Sequence, residues 1–389
     1  MNPPYVSFGL RESKAAAKAW REAILRRYPH SAQYKISLYA VFMDRALEFL
    51  QPGGAFCFLT PDSFLLGRYF SKLRRRILES CDLKIALMFE QDFWKSGVVG
   101  RPVISVGVRD QGLELRGQGS GVRGQGSGGG GGGQGPGNSA GFVPVCVGPC
   151  QSVPVRPRFF KAALCRDVAA LERGEIQTFS YDSAYFPKTQ HNRFRLFFRK
   201  EDKEFCDRME HGAERLGDVM RFASGLIGKR GQKDIVSERR QGPSWGKGIA
   251  SGADVLPWRA EWRGLYLNFD HAALKSGFKD ARYDAPKLLL RQTGDRLIAA
   301  YDPDGLLCLN NVHVGMAREV SGVACDPRLI AAILNSDLMH RYYQLISLEQ
   351  SRAMAQTDID VIESLPFKRP APADEEEIRQ RLSALGYLD

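Results

Sequence analysis

The chain has 389 residues, of which 43% are hydrophobic and 25% charged, a composition typical of folded globular proteins that excludes a mostly disordered chain. This length predicts two domains, because single domains usually hold about 100 to 200 residues. Lys and Arg number 55 against 44 Asp and Glu, and this net charge of +11 makes a polyanion such as DNA a natural partner to test. A general compositional bias toward arginine is the alternative explanation.

The sequence contains neither membrane signals nor a clear metal-binding pattern. No stretch approaches the ~18 consecutive apolar residues of a membrane helix, and the start lacks the regions of a signal peptide, so a cytoplasmic protein without membrane partners is expected. The eight cysteines are scattered and are interpreted as reduced thiols. Cys146 and Cys150 have no second pair or nearby histidine, so no zinc or other metal site is predicted.

The chain opens on Asn2, Pro3, Pro4 and Tyr5. Each proline fixes its own φ and confines the preceding residue to extended backbone, which predicts a stiff hook. A polar, basic helical stretch follows, and then a predicted helix over residues 37–50. Its expected start is a cap by Ser37, its end is the Pro-Gly-Gly turn at 52–54, and its apolar face is expected to comprise Leu38, Val41, Phe42, Phe49 and Leu50.

Further helices and strands are predicted up to residue 110. The apolar run 55–59 predicts a strand buried on both faces, as in parallel sheets. A helix over 68–79 is expected to direct Arg74, Arg75 and Arg76 toward water or a phosphate backbone. The runs 83–89 and 103–108 predict two more strands. This alternation is typical of a doubly wound α/β sheet, of which the region would be the second half.

The rest of the chain divides by composition. Residues 111–141 repeat the hexapeptide RGQGSG and contain six consecutive glycines, which predicts a low-complexity linker or insert. Residues 142–372 mix short strands, loops and late helices, including a helical run within 326–346, and predict one α+β domain. Residues 373–389 predict an acidic C-terminal helix.

The hook has a chemistry of its own. Two oxygen acceptors, the Asn2 side-chain oxygen and the Pro3 carbonyl, can hold both hydrogens of an aromatic exocyclic amine and so direct its lone pair at an electrophilic methyl group. The Tyr5 ring can stack on a base that has left its duplex. An ordinary Pro-Pro turn is the alternative for such a short segment.

These residues resemble a known family, the TaqI-like adenine-specific DNA methyltransferases of restriction-modification systems. NPPY resembles the catalytic motif, and LYAVFMDRALEFLQPGGAFCFLTPDSFL resembles the helix, turn and strand after it. The distal segments LGDVMRFASGLIGKRGQK, SGADVLPW, APKLLLRQTGDRLIAAYD, AAILNSDLMHRYYQL and IDVIESLPF resemble landmarks of the target-recognition domain. The resemblance implies the C-terminal part of a Rossmann-like methyltransferase sheet over 1–110, followed by an α+β target-recognition domain.

The resemblance also implies roles for residues. Asn2, Pro3, Pro4 and Tyr5 would be catalytic, with Tyr5 and either Phe89 or Phe93 stacking on the base. The methyl donor would be S-adenosylmethionine, whose site in this family is built mainly ahead of NPPY.

Only Met1 precedes the hook in this chain. A late start codon, a split gene with a separate N-terminal half and a decayed fragment are the explanations considered. A sheet of later strands alone would leave an open apolar edge, so the isolated chain is expected to be poorly soluble and inactive. A soluble monomer that methylates DNA would contradict that expectation.

Basic residues of the distal region are predicted to bind double-stranded DNA, through phosphates or, for arginine, base edges. A flexible solvated charge cluster is the alternative. The candidates are Lys229, Arg230, Lys233, Arg239, Arg240, Lys247 and Arg291.

Two other functions are considered. NPPY also occurs in methyltransferases that modify a glutamine side chain, but these are compact and lack a distal DNA-reading domain. Alternatively the chain is a DNA-binding specificity module without catalysis, whose catalytic partner, or an accompanying restriction endonuclease, is a separate protein.

Overall fold

The computed structural model describes residues 1–5, 7–8, 15–32, 36–94, 100–110, 159–277, 285–320, 323–347, 355–384 and 386. The chain splits into two compact units, one of Met1–Ile176 with Ser180–Arg193 and one of Gln177–Phe179 with Phe194–Asp389. The predicted linker 111–141 lies outside the described residues, as do Cys146 and Cys150.

The first unit contains both helices and strands in its early part, as predicted. Short 3-10 turns occupy Arg68–Phe70, Ser183–Lys188 and Gln190–Asn192. Its elements in chain order are β1 Ser7–Phe8, α1 Ala15–Arg27, β2 Ile36–Ser37, α2 Leu38–Phe49, β3 Ala55–Pro61, α3 Ser63–Leu66, α4 Ser71–Ser80, β4 Cys81–Phe89, β5 Pro102–Arg109, β6 Phe159–Cys165, α5 Val168–Glu172 and β7 Ile176–Asp182.

The main sheet of this unit has five strands in the order β3-β5-β4-β6-β7. β5 runs antiparallel to both β3 and β4, whereas β4 and β6 are parallel. The strand predicted over 55–59 is confirmed, but its expected burial on both faces is wrong. β3 is an outer strand with an antiparallel neighbour, so Phe56 and Phe58 are buried while Ala55 and Cys57 are exposed. β6 also belongs to this sheet, although it lies within the predicted range 142–372.

Helix α2 is confirmed, and its predicted apolar face is buried at Val41 but not at Phe42 or Phe49. Both phenylalanines are exposed, and the Arg45 guanidinium lies 4.0 Å from the ring centre of Phe49. The buried face includes Asp44, which accepts a hydrogen bond from the Ser31 hydroxyl at 2.8 Å and pairs with Arg76. Ser37 stands at the N-cap position without a side-chain capping bond.

The second unit contains mainly antiparallel sheets and late helices, which agrees with the predicted α+β domain. It also contains 3-10 turns at Gln232–Ile235 and Gly252–Asp254. Its elements are α6 Lys200–Glu210, β8 Glu214–Arg215, α7 Leu216–Val219, β9 Met220–Ser224, β10 Ile227–Gly228, β11 Val236–Ser237, β12 Trp245–Ile249, β13 Tyr266–Asn268, β14 Leu274–Ser276, β15 Lys287–Arg291, β16 Ala299–Asp302, β17 Leu307–Cys308, β18 Val312–Ala317, β19 Glu319–Val320, β20 Val323–Ala324, α8 Pro327–Asn335, α9 Asp337–Ser347, α10 Ile359–Glu363, β21 Pro366–Phe367 and α11 Pro372–Ala384.

Two four-stranded sheets form the framework of this unit, in the orders β16-β15-β18-β9 and β11-β13-β12-β17. Leu289, Val312 and Val314 belong to a buried apolar cluster on the first. The helical run predicted within 326–346 is interrupted at Ser336, whose extended backbone ends α8 and whose hydroxyl accepts the Met339 N–H at 3.2 Å. None of the helices within the described ranges is long and apolar enough to cross a membrane.

Candidate functional site

The hook Asn2 to Tyr5 lies beside the outer strand of the sheet in the first unit. The Met1 amine donates to the Cys57 carbonyl, and the Leu59 N–H donates to the Met1 carbonyl at 3.1 Å, so the chain reaches the hook along β3. Pro3 is buried, whereas Asn2 is exposed. The hook is therefore fixed on the sheet at its start, with the Asn2 amide accessible from solvent.

Tyr5 is tied to the same strand through its hydroxyl. The hydroxyl oxygen lies 2.9 Å from the Leu59 carbonyl oxygen and is also hydrogen-bonded to Asn2 Oδ1. Desolvation raises the pKa of Tyr5 to about 12, so the phenol is neutral and able to donate at ordinary pH. The amide oxygen predicted to hold a substrate amine thus has a partner within the hook itself.

An aromatic cluster surrounds Tyr5. Its ring centre lies 4.8 Å from that of Trp94 and 6.1 Å from that of Tyr39, in edge-to-face geometry. The Tyr39 hydroxyl lies 3.2 Å from the Ser63 hydroxyl, just after β3. The sequence prediction missed both Trp94 and Tyr39, although Trp94 directly follows a predicted stacking candidate.

The two predicted stacking candidates differ in exposure. Phe89 ends β4 and is 1% exposed, packed in a buried cluster with Leu87 and Ala163. Phe93 is 39% exposed, and its ring centre lies 5.3 Å from that of Trp94. Phe93 is therefore the more accessible of the two candidates.

Arg74 is buried next to the segment that follows β3, and the prediction that it is exposed is wrong. Its side chain is fully buried and donates to the carbonyls of Phe64 at 2.6 Å, Gly67 at 2.9 Å, His191 at 2.8 Å and Asn192 at 2.8 Å. Burial lowers the pKa of Arg74 to about 9, so the guanidinium keeps its charge at neutral pH. Arg74 therefore holds the turn after Ser63, and Ser63 contacts Tyr39.

By the resemblance to the methyltransferase family, the S-adenosylmethionine site would include a glycine-containing loop between a strand and a helix. After β3 the chain instead passes through Asp62 into α3, and the nearby Gly100 approaches Asp62 from another segment. Within the described ranges, no cluster of three or more His, Cys, Asp or Glu side chains is arranged to hold a metal ion.

The second unit contains all seven of the predicted DNA-binding residues. Lys229, Arg230, Lys233, Arg239, Arg240 and Lys247 are exposed. The Lys247 ammonium lies 4.7 Å from the ring centre of Trp262, a side chain that the sequence prediction did not single out. Arg291 is only partly exposed, and donates to the carbonyls of Val255 at 2.6 Å and Ala253 at 3.3 Å, so its guanidinium supports a loop.

Comparison with known proteins divides the chain in the same order as the sequence motifs. Residues 1–94 match the family model described as Eco57I restriction-modification methylase, and residues 247–367 match that of the TaqI-like C-terminal specificity domain. Over 83 residues the chain is 35% identical to the type II methyltransferase M.PstI of Providencia stuartii, covering 21% of this chain and 14% of that protein.

Among solved structures, the type IIL restriction-modification enzyme MmeI in complex with DNA is similar with a TM-score of 0.51 and 12% identity, over 98% of this chain and 48% of that one. At this identity the likeness concerns the fold. The first part of the chain is therefore similar to a restriction-modification methylase and its later part to a specificity domain, and the chain spans about half the length of MmeI (48%).

Proposed function

We propose that this chain is the catalytic-motif and target-recognition part of an adenine-specific DNA methyltransferase. The observation that carries the proposal is the hook itself: Asn2 is exposed, Tyr5 is tied to β3, and both are within the segment that matches a methylase. The substrate would be an adenine extruded from double-stranded DNA.

The residues of the hook would act on the adenine amine. Its two hydrogens would be donated to Asn2 Oδ1 and to the Pro3 carbonyl, which favours a more tetrahedral nitrogen with its lone pair directed away from the ring. The rings of Tyr5 and of Phe93, which follows β4, would hold the base by stacking. S-adenosylmethionine supplies the electrophilic methyl group when it is bound.

By the family resemblance, the cofactor would be held largely by a segment that lies ahead of the hook in that family. A separate cofactor-binding half is therefore the proposed partner, and the 389-residue chain is expected to be inactive without it. In such a complex this chain would supply the base-holding hook and the DNA-reading surface.

Replacing Asn2 with alanine is expected to lower methyl transfer about 100-fold or more, because a preorganised acceptor at the reacting nitrogen is lost. The assay measures transfer of labelled methyl from S-adenosylmethionine to unmethylated genomic DNA, with the chain alone and with a cofactor-binding half supplied. Nucleoside analysis should show N6-methyladenine.

The exposed Gln51, which lies on the same unit, offers a matched amide control, and Gln51→Ala should leave the rate unchanged. Unaltered transfer by Asn2→Ala, or methylated cytosine in the digest, contradicts the proposed chemistry.

Simultaneous replacement of Lys229, Arg230 and Lys233 by glutamine is expected to weaken DNA binding and flatten its dependence on salt. Each lost phosphate contact makes the negative slope of log K against log salt shallower by about 0.9. The measurement is DNA binding by fluorescence anisotropy between low and moderate salt. A control with the same charge change replaces Lys200, Arg379 and Arg381, which are exposed in the same unit. If both triple variants show equal slopes, the loop that holds Lys229, Arg230 and Lys233 does not contact DNA.

A DNA-binding specificity module without catalysis is the second candidate, favoured by the exposed basic residues of the second unit. Titration with labelled DNA and with S-adenosylmethionine separates the two functions. DNA binding without any cofactor binding, even when a cofactor-binding half is supplied, supports the module.

A further inference from the structure

The position beside the Tyr5 ring is filled by an indole. The ring centres of Tyr5 and Trp94 are 4.8 Å apart, with an angle of 65° between their planes. A base stacked between two rings needs about 7 Å between them, since each contact takes about 3.5 Å. A base therefore enters between these side chains only if Trp94 moves away from Tyr5.

Trp94 is anchored in this position. Its indole N–H donates to the Gly100 carbonyl at 2.7 Å. Gly100 has φ +114°, and a Cβ there would stand 2.4 Å from Asp62 Oδ1, so only glycine allows this close approach. The Asp62 N–H in turn donates to the Arg101 carbonyl at 2.8 Å. The indole is thus held to the backbone at the end of β3.

The acceptor of the hook is engaged at the same time. The Tyr5 hydroxyl is hydrogen-bonded to Asn2 Oδ1, the oxygen that would receive the adenine amine. The indole therefore occupies the stacking space, and the phenol shares the amide oxygen, which has a second lone pair for the amine. The entry of a base requires that the indole contact be exchanged.

We propose that Trp94 is a purine-sized plug, which closes the Asn2–Tyr5 site in the free protein and is displaced by the entering base. The indole and a purine are both fused five- and six-membered rings, so the space opened by Trp94 suits a purine better than a pyrimidine. This inference rests on the proposed function, since it takes the ligand to be an adenine. It adds a residue whose displacement opens a space of purine size.

The displacement is tested by fluorine NMR on the chain labelled with 5-fluorotryptophan. The five tryptophans give separate resonances, and that of Trp94 is assigned by its loss in Trp94→Phe. Addition of single-stranded d(A)12 should shift the Trp94 resonance, whereas d(C)12, which also carries an exocyclic amine, should not. Asn2→Ala and Tyr5→Ala should each reduce the shift. A Trp94 resonance that stays in place at saturating d(A)12 overturns the proposal.

Removal of the plug gives a second measurement. Trp94→Ala should raise the affinity for d(A)12 relative to d(C)12 by about three- to tenfold, which corresponds to the loss of one aromatic pair. Trp94→Phe should give a smaller increase, and Trp20→Ala, at a tryptophan that is 45% exposed in the same unit, should give none. Unchanged resonances of the remaining tryptophans show that each variant is folded. A weaker preference for d(A)12 in Trp94→Ala overturns the proposal.

The experiments can contradict the plug without contradicting the proposed enzyme activity, and the reverse. If the wild-type chain with a cofactor-binding half methylates adenine while d(A)12 leaves Trp94 in place, the plug is wrong and the enzyme stands. If d(A)12 shifts Trp94 but no preparation transfers a methyl group, the base-binding site stands and the methyltransferase proposal is wrong.

Discussion

Arg74→Met is expected to lower the free energy of unfolding of the first unit by at least about 3 kcal/mol, since it removes a charged donor from one buried and three partly buried carbonyls. The carbonyls of Phe64, His191 and Asn192 lose the Arg74 donor, and that of Gly67 keeps only the Phe70 N–H at 3.2 Å. His191 and Asn192 both have positive φ, an unfavourable backbone for residues other than glycine that the bonds to Arg74 help to hold. Hydrogen exchange with rising denaturant should show protection lost over β3, α4 and β5.

The neighbouring Arg75 provides the control on the same helix. Its side chain is 47% exposed and paired with Glu79, so Arg75→Met should cost less than about 0.5 kcal/mol. The loss of stability in Arg74→Lys should be intermediate. The lysine ammonium keeps the charge, but with three donors it cannot serve all four carbonyls to which the guanidinium donates. Equal stability of Arg74→Met and Arg75→Met would show that the buried guanidinium is not what holds the turn.

Arg74 also illustrates where sequence patterns mislead. Helical spacing places residue 74 on the same face as Phe70 and Ile77, both of which are buried. Its charge within a run of three arginines led to the opposite prediction. The prediction of which α2 residues are buried was wrong for the same reason. The acidic Asp44 is buried, whereas the apolar Phe42 is exposed. Periodicity predicted where these helices lie, but the partners that compensate a buried charge come from distant segments.

The same holds for the main sheet of the first unit: its strands could be predicted from local patterns, but their order and direction could not. Apolar runs predicted β3, β4 and β5 as strands, because alternation and β-branched residues act locally. Their order and direction depend on which strands meet, and β5 inserts antiparallel between β3 and β4. A run of apolar residues does not distinguish such a mixed sheet from a parallel one.

The candidate site was predictable only in its rigid part. Two prolines dictate an extended hook whatever surrounds it, so Asn2 and Tyr5 could be singled out from the sequence. The contact between Tyr5 and Trp94 joins segments that are far apart in the chain, and no local pattern indicates it. The predicted role of Arg291 depended on its charge and its position at the end of a strand, whereas in the structure its guanidinium donates to the carbonyls of Val255 and Ala253.

The buried ion pair of the second unit carries the other large expected effect. Lys287 on β15 and Asp302 on β16 stand directly opposite each other in the antiparallel pair, with Nζ and Oδ2 2.6 Å apart and almost no exposure. Lys287→Met is expected to lower the free energy of unfolding of this unit by about 3–5 kcal/mol, because it leaves the Asp302 charge buried without its cation. The measurement is hydrogen exchange over β15, β16 and β18 at rising denaturant.

The size of the effect should depend on the charge left behind. Asp302 also accepts the Asp304 and Leu306 N–H groups, at 3.0 and 2.7 Å. An asparagine at position 302 keeps a neutral acceptor for this turn, so Lys287→Met with Asp302→Asn should recover at least about 2 kcal/mol relative to the sum of the single losses. Lys275→Met, at an exposed position of β14, should change little. If the two losses simply add, the pair is not coupled. The framework that holds Arg291 at the end of β15 would then depend on its apolar cluster alone.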